Sequence, residues 1–228
     1  MQFIPHHSGS SGNLYQVVNS KGSLIIDAGV PIRKIKQAFN FNLRSIDGAL
    51  ISHQHTDHLS GVRDLARAGI NCFMSAETAE GTNIPDHHRI NVIEPLKQFR
   101  IAGWTALGFP TQHDCPGSLG YLVTDGTDKL LFATDTFYIH HRFQGLTILA
   151  IECNWSKRTL SPGLDPERKK RLYRSHMNLE RCKQFLQAND LSKVREVHLI
   201  HMSRENSNAD LFVKEIEALT GKPVYAAR

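Results

Sequence analysis

The sequence predicts an α/β fold. Short apolar runs of strand length alternate with segments whose apolar residues recur every three or four positions. Turns rich in Gly, Asn and Asp separate them. At 228 residues, 40% of them hydrophobic, the chain suits one domain spanning 1-228 with a sizeable core. It holds no apolar run of ~20 residues, so no membrane partner is expected. The opening MQFIPHHSGSSGN lacks a basic segment followed by an apolar one, so it does not read as a secretory signal. Cys72, Cys115, Cys153 and Cys182 lie far apart without CxxC spacing, which points to reduced thiols and a cytoplasmic protein.

Gln2 to Ile4 opens a strand, and the small-residue loop His6 to Asn13 follows. Residues 13–18 (NLYQVV) and 23–27 (SLIID) read as strands joined by a turn at 19–22. Pro31 to Phe39 has Pro in its first turn and apolar residues at 32, 35, 38 and 39, the pattern of a helix. Residues 48–52 form a buried strand, residues 59–68 a helix and residues 70–74 another strand. From 75 to 95 the signals are mixed and define no element. Residues 98–109 alternate as one long or bent strand. Residues 121–124 and 129–133 flank an Asp-Gly turn, a hairpin signal. Residues 147–152 make a buried strand; helices over 166–173 and 178–188 follow. A strand over 194–200, a helix over 209–219 and an extended 223–226 end the chain.

The densest chemistry lies between the strand at 48–52 and the helix at 59–68, in ISHQHTDHLSG. His53, His55, Asp57 and His58 fall within six residues on a strand-to-helix turn. Imidazole and carboxylate are the usual ligands of zinc and related metals. His113, Asp135 and His201 each follow an apolar strand-like run. Singly, each also fits a structural role beside the core; together and in this order they are candidate metal ligands. Net charge is +5, and it is unevenly spread. Residues 157–183 carry 9 Lys or Arg against 3 Asp or Glu, whereas residues 1–156 carry 12 against 13. Such a stretch is either a solvated helix face or a platform for a polyanion.

HQHTDHLSG resembles the HxHxDHxxG signature of the metallo-β-lactamase superfamily. The resemblance implies a four-layer αββα sandwich binding two divalent metal ions. It assigns His53, His55 and His113 to one ion, Asp57, His58 and His201 to the other, and Asp135 as the bridge. Zinc suits the His-rich set; manganese and iron fit the same donors. Asp27, in LIIDAG, resembles an acid that supports the ligand loop from behind. His55 stands where diiron oxidoreductases of the superfamily typically have Glu, which favours hydrolysis over redox work. SGSSGN, LIIDAG, ECNW, SHMNLE and HMSRENSN in series are similar to the WalJ/YycJ-type branch, related to RNase Z and to DNA exonucleases. In that branch GHLSNE-like and HLSxENN-like segments recur. Here Ser175 replaces the Gly, Met177-Asn178 replaces Leu-Ser, and the aromatic-rich stretch before the first segment gives way to KRTLSPGLDPERKKRLYR.

The expected activity is therefore phosphodiester hydrolysis of DNA or RNA. A metal-bridging water, its pKa lowered towards about 7, would act as hydroxide nucleophile. Asp57 would receive or orient the proton of that water, and His176 would protonate the leaving oxygen. Lys169, Lys170, Arg171 and Arg174 are candidates for phosphate contacts. Ser8, Ser10, Ser11 and Asn13 could accept a strand end, and Asn154 and Asn206 could hydrogen-bond near the site. A hydrolase of a small cyclic phosphodiester, thioester or lactone is the first alternative, and it would not need the basic stretch. A metal-stabilised nucleic-acid-binding or regulatory protein without turnover is the second.

Overall fold

A computed structural model describes residues 1–227, which divide into two compact units, 1–110 with 115–127 and 111–114 with 128–227. In the first unit, β1 (Gln2–His7), β2 (Leu14–Val18), β3 (Ser23–Ala28), β4 (Ile46–Leu50), β5 (Cys72–Met74) and β6 (Ile90–Val92) lie in that order in one sheet. β1 to β3 pair antiparallel and β3 to β6 parallel. The turn between β2 and β3 is the expected one, closed by Asn19, whose side chain accepts from the Lys21 and Gly22 amides. β3 is buried along its whole length, as a strand covered on both faces must be.

The helices of this unit, α1 (Ile32–Ala38), α2 (Thr56–Leu59), α3 (Val62–Arg67) and α4 (Ala76–Gly81), are short. Ile35, Val62 and Leu65 pack with Leu14, Ile25, Ala49 and Ile51 in one core cluster. The helix expected over 59–68 is broken at Ser60-Gly61. Gly61 donates its N–H to Ala28 O at 2.7 Å, and a Cβ there would lie 2.6 Å from Val30 O. Ser60 and Gly61 keep right-handed helical backbone angles, but the Gly61 N–H is given to β3, which interrupts the helical ladder there. The region 75–95 contains α4 and β6, neither legible in advance. Residues 98–109 are a hairpin and not one strand: β7 (Gln98–Ile101) turns at Ala102-Gly103 into β8 (Trp104–Pro110), with Ile101 opposite Trp104. Ala102 takes a left-handed φ of 48° there. β8 pairs antiparallel with β9 (Leu119–Thr124).

The second unit contains four parallel strands, β10 (Lys129–Ala133), β11 (Ile148–Glu152), β12 (Glu196–Ile200) and β13 (Val224–Ala226), paired in that order. Its helices are α5 (Pro166–Ser175), α6 (Leu179–Ala188) and α7 (Ala209–Thr220). Asp165, Asn178 and Asn208 cap their N-termini with side-chain oxygens. Phe185 and Leu186 of α6 and Phe212 and Ile216 of α7 are buried with Leu149, Ile151, Val197 and Leu199 of the sheet. Parallel neighbours put successive strand ends on one edge, the place where ligand sites form in such sheets. Among the described residues no helix is long and apolar enough to cross a membrane.

Asp128, just before β10, accepts from both terminal nitrogens of Arg195. Burial alone would raise its carboxyl, but hydrogen bonds from Arg195 and Thr147 outweigh that and hold the pKa at about 2 against 3.8. A depressed carboxylate stabilises the fold above its unfolded pKa and ceases to do so as pH falls through its folded one. The Arg195 side chain is 43% exposed, so screening limits the effect. Asp128→Asn is expected to cost about 0.5–1 kcal/mol at pH 7. In urea titrations at pH 7, 3 and 2 the difference from wild type should shrink between pH 3.8 and about 2.

Candidate metal centre

In the first unit the site grows from Asp27, the penultimate residue of β3. Its carboxylate is fully buried and its backbone is left-handed, φ 58°. Oδ1 accepts from the Ser52 amide at 2.8 Å, and Oδ2 from Ser52 Oγ at 2.9 Å and His58 Nδ1 at 2.7 Å. Ser52 Oγ in turn lies 2.9 Å from His53 Nδ1. Both imidazoles thus spend Nδ1–H on the Asp27–Ser52 pair, which makes Nε2 the lone-pair nitrogen on each. His53 Nε2 stands 3.1 Å from His55 Nδ1, and His58 Nε2 stands 3.5 Å from Asp57 Oδ2. His55 is the N-cap residue of α2 and Asp57 lies in its first turn.

Close backbone approach locks this loop. A Cβ on Gly29 would fall 1.5 Å from Asp57 O, so only glycine fits. Asn13 is fully buried; its amide nitrogen lies 3.1 Å from Asp57 O and 3.0 Å from His58 Nε2, and its backbone N–H donates to Asp57 O at 2.8 Å. It fixes the 53–58 loop. Ser10 and Ser11 are exposed in the preceding loop, and Ser8 Oγ bonds the Tyr15 hydroxyl at 2.8 Å. Tyr121 donates to Ile51 O at 2.6 Å, and burial pushes its phenol well above the ordinary value.

In the second unit three parallel strands deliver polar residues at their C-terminal ends. Asp135 follows β10, Glu152 ends β11 and His201 follows β12. His176 enters beside them as the residue that ends α5. Donor atoms of these four residues all lie within 4.8 Å of one another. His176 Nδ1 is 2.7 Å from Glu152 Oε1 and 3.1 Å from Asp135 Oδ1. His201 Nδ1 is 2.9 Å from Asp135 Oδ1 and 3.2 Å from Glu152 Oε1. Asp135 and His201 share with Asp27 a left-handed backbone, φ 43° and 50°. Such strain in non-glycine residues persists where surrounding structure enforces it and concentrates at functional sites.

Glu152 is the residue that sequence reasoning passed over, though it opens the ECNW segment. It is fully buried, and its Oε2 accepts from the Thr136 and Met177 amides at 2.9 and 3.0 Å. Burial alone would raise its pKa, but the neighbouring imidazoles hold it below the ordinary carboxylate value. Burial opposes charge on His176 too, yet the Glu152 carboxylate, with Asp135, raises that imidazole to about 9. The signal available in the sequence was an acid closing the wholly apolar run ILAI.

His113 Nδ1 lies 3.0 Å from Ser175 O, and its Nε2 lies 3.2 Å from Asp114 Oδ1. Asp114 also accepts from Arg171 Nε at 2.6 Å, which ties this loop to α5. Lys169, Lys170 and Arg174 are exposed on α5. Asn154 donates Nδ2–H to His201 O at 2.7 Å, while its buried Oδ1 has no hydrogen-bond partner among the described residues. Asn206 is buried; it accepts from the Ser161 amide at 3.0 Å and pins the Ser156–Ser161 turn, not a ligand.

These donors fit a metal. Zn–N bonds of about 2.0–2.1 Å place two nitrogens of a tetrahedral site about 3.3 Å apart, close to the 3.1 Å between His53 Nε2 and His55 Nδ1. Imidazoles oriented through Nδ1 by buried carboxylates are the usual arrangement behind a metal. An α/β frame with these residues at its strand ends defines a metal-dependent hydrolase of the metallo-β-lactamase fold. The chain belongs to the beta-lactamase superfamily, whose domain model matches residues 23–202. It is 26% identical over 230 residues to the exodeoxyribonuclease WalJ of Streptococcus pneumoniae, a match that covers 93% of this chain and 84% of WalJ. It is 27% identical over 222 residues to the exodeoxyribonuclease YycJ of Bacillus anthracis, covering 90% and 83%. The metallo-β-lactamase fold protein YhfI from Bacillus subtilis superposes with a TM-score of 0.75 at 17% identity, over 99% of this chain and 95% of YhfI. The α/β expectation and the superfamily resemblance therefore hold.

Asp27→Asn keeps a side chain that tolerates positive φ but turns an acceptor into a donor facing Ser52 and His58. Metal affinity is expected to fall about 10- to 100-fold, read by competition with a chromophoric chelator. Glu152→Ala leaves two buried amides and an imidazolium without their carboxylate. A loss of about 3–5 kcal/mol is expected, measured by urea denaturation of the metal-free protein.

Proposed function

We propose that the protein is a dinuclear metal-dependent phosphodiesterase acting on nucleic acid, a nuclease. The observation that carries this reading is the His176–Glu152 contact at 2.7 Å, set beside Asp135 at the end of the most basic segment of the chain. His53, His55, Asp57, His58, His113, Asp135 and His201 are the proposed ligands of two divalent cations, zinc first and manganese or iron as alternatives. The bound cations supply Lewis-acid activation of water and neutralise charge on the phosphoryl oxygens.

The chain's own groups do the remaining work. Asp57, partly exposed at 27%, takes the proton lost by the attacking water. His176 gives its proton to the leaving alkoxide, so each oxygen ends correctly protonated. Glu152 fixes the ring of His176 and favours its charged form. Lys169, Lys170 and Arg174 hold flanking phosphates, with Arg171 shared between Asp114 and the substrate. The two relatives with exodeoxyribonuclease names support a DNA substrate. The cytoplasmic setting is part of this proposal and rests on the wide spacing of the four cysteines without a CxxC pair.

End-labelled single- and double-stranded DNA and RNA, incubated with the zinc- or manganese-loaded protein, test the reading. Cleavage is expected, weakening steeply as salt rises. His176→Ala should lower kcat about 10²- to 10⁴-fold. Turnover of a thioester or lactone with every nucleic acid left intact would sink the proposal.

A further inference from the structure

The second unit contains a cavity of ≈ 970 Å³, and of its lining residues only Arg174 has a role in the proposed function above. Three rings, Phe137, Trp155 and Tyr173, and three cations, Lys157, Arg174 and Arg181, line it. Glu180 is the one acid among its lining residues. The volume is at the upper end of the roughly 300–1,000 Å³ of small-molecule sites.

The rings are already arranged for planar ligands. The Arg181 guanidinium lies 3.5 Å above the centre of the Phe137 ring, a flat stacked platform. Trp155 meets Tyr173 edge to face at 4.4 Å. Burial lowers the pKa of Arg181, so the charge sits in a partly desolvated place. Among the described residues neither Lys157 nor Arg174 forms an ion pair, although both are exposed at the cavity. Rings that stack bases and unspent cations that meet phosphates are together the chemistry of single-stranded nucleic-acid sites.

The cavity also adjoins the four-residue cluster covalently. Phe137 lies two residues after Asp135, Trp155 three after Glu152, and Arg174 two before His176. Trp155 donates its indole N–H to His176 O at 3.3 Å. The buried Trp155 thereby ties the cavity wall to the backbone that carries His176.

We propose that this cavity is a nucleotide subsite. It seats an unpaired base against the Phe137–Arg181 pair and Tyr173, which the fully buried Trp155 backs edge-on, and its phosphate against Lys157 and Arg174. The proposal rests on the phosphodiesterase reading and specifies its substrate as a strand end with at least one unpaired nucleotide. Stacking on a ring tolerates every base, so the subsite selects single-strandedness over sequence.

The test uses the metal-free 228-residue chain, which binds without cleaving, and calorimetric titration with 5′-phosphorylated trideoxyadenylate, deoxyadenosine and inorganic phosphate. The trinucleotide is expected to bind saturably and more tightly than either fragment. Phe137→Ala and Arg181→Ala should each weaken it at least about fivefold. Lys157→Ala and Arg174→Ala, both surface changes compatible with folding, should each lower the salt dependence by about one ion. Circular dichroism checks the fold of every variant. Trinucleotide affinity unchanged in all four variants, or no binding by the wild type, overturns the subsite. DNA cleavage with unaltered KM in folded variants does the same and leaves the phosphodiesterase reading intact. Trinucleotide binding lost in the variants, by a wild type that hydrolyses no phosphodiester, supports the subsite and removes the catalytic reading.

Discussion

A single buried carboxylate governs the loop from His53 to His58. Asp27 has no access to water, so its two oxygens must be satisfied by protein donors, and Ser52 and His58 supply them. Ser52, two residues beyond the strand β4, is thereby fastened to the end of β3, and two imidazoles inherit their orientation from that junction. The left-handed backbone of Asp27 costs of order 1–3 kcal/mol, and the hydrogen bonds around the carboxylate hold it in place. Gly29 two residues on lets the loop backbone come closer than any side chain would permit. Without this anchorage, four polar side chains on a turn would be a solvated loop.

The second unit reaches a similar end by another route. Glu152, also wholly buried, gathers two amides and the imidazoles of His176 and His201. The amides belong to Thr136 and Met177, so one side chain joins the end of β10 to the start of the segment before α6. Desolvating a carboxylate is expensive, and the surrounding donors offset that cost only if all are in register. This explains why helix α5 ends where it does: Ser175 O meets His113 and the next residue must face Glu152. The basic face of α5 is then held beside this cluster, partly through Arg171 and Asp114.

Much of this was legible beforehand, for local reasons. The strand–turn–helix around His53 to His58, the strands ending before Asp135 and His201 and the helices over 166–188 and 209–219 follow from periodicity and polarity over neighbouring residues. The misreadings fall where distant residues overrule local preference. Residues 59–68 look helical throughout, but Gly61 is claimed by β3. Residues 98–109 alternate like one strand, but Ala102 accepts a left-handed turn and folds them back. Over 75–95 no period dominates; β6 is selected by its pairing with β5, and α4 packs against β6.

Sequence alone determined which residues can ligate a metal, because ligand type is a property of the side chain and its order along the chain. It equally determined the uneven charge, since counting needs no coordinates. Only the tertiary structure decided that Asn13 orients the 53–58 loop, that Glu152 is the partner of His176, and that Phe137, Trp155, Tyr173 and Arg181 line one cavity. Those roles depend on distances between residues up to 45 positions apart in the chain. Burial, which turns a carboxylate from a solvated group into an anchor, is set by what packs over it and leaves no mark on the residue itself.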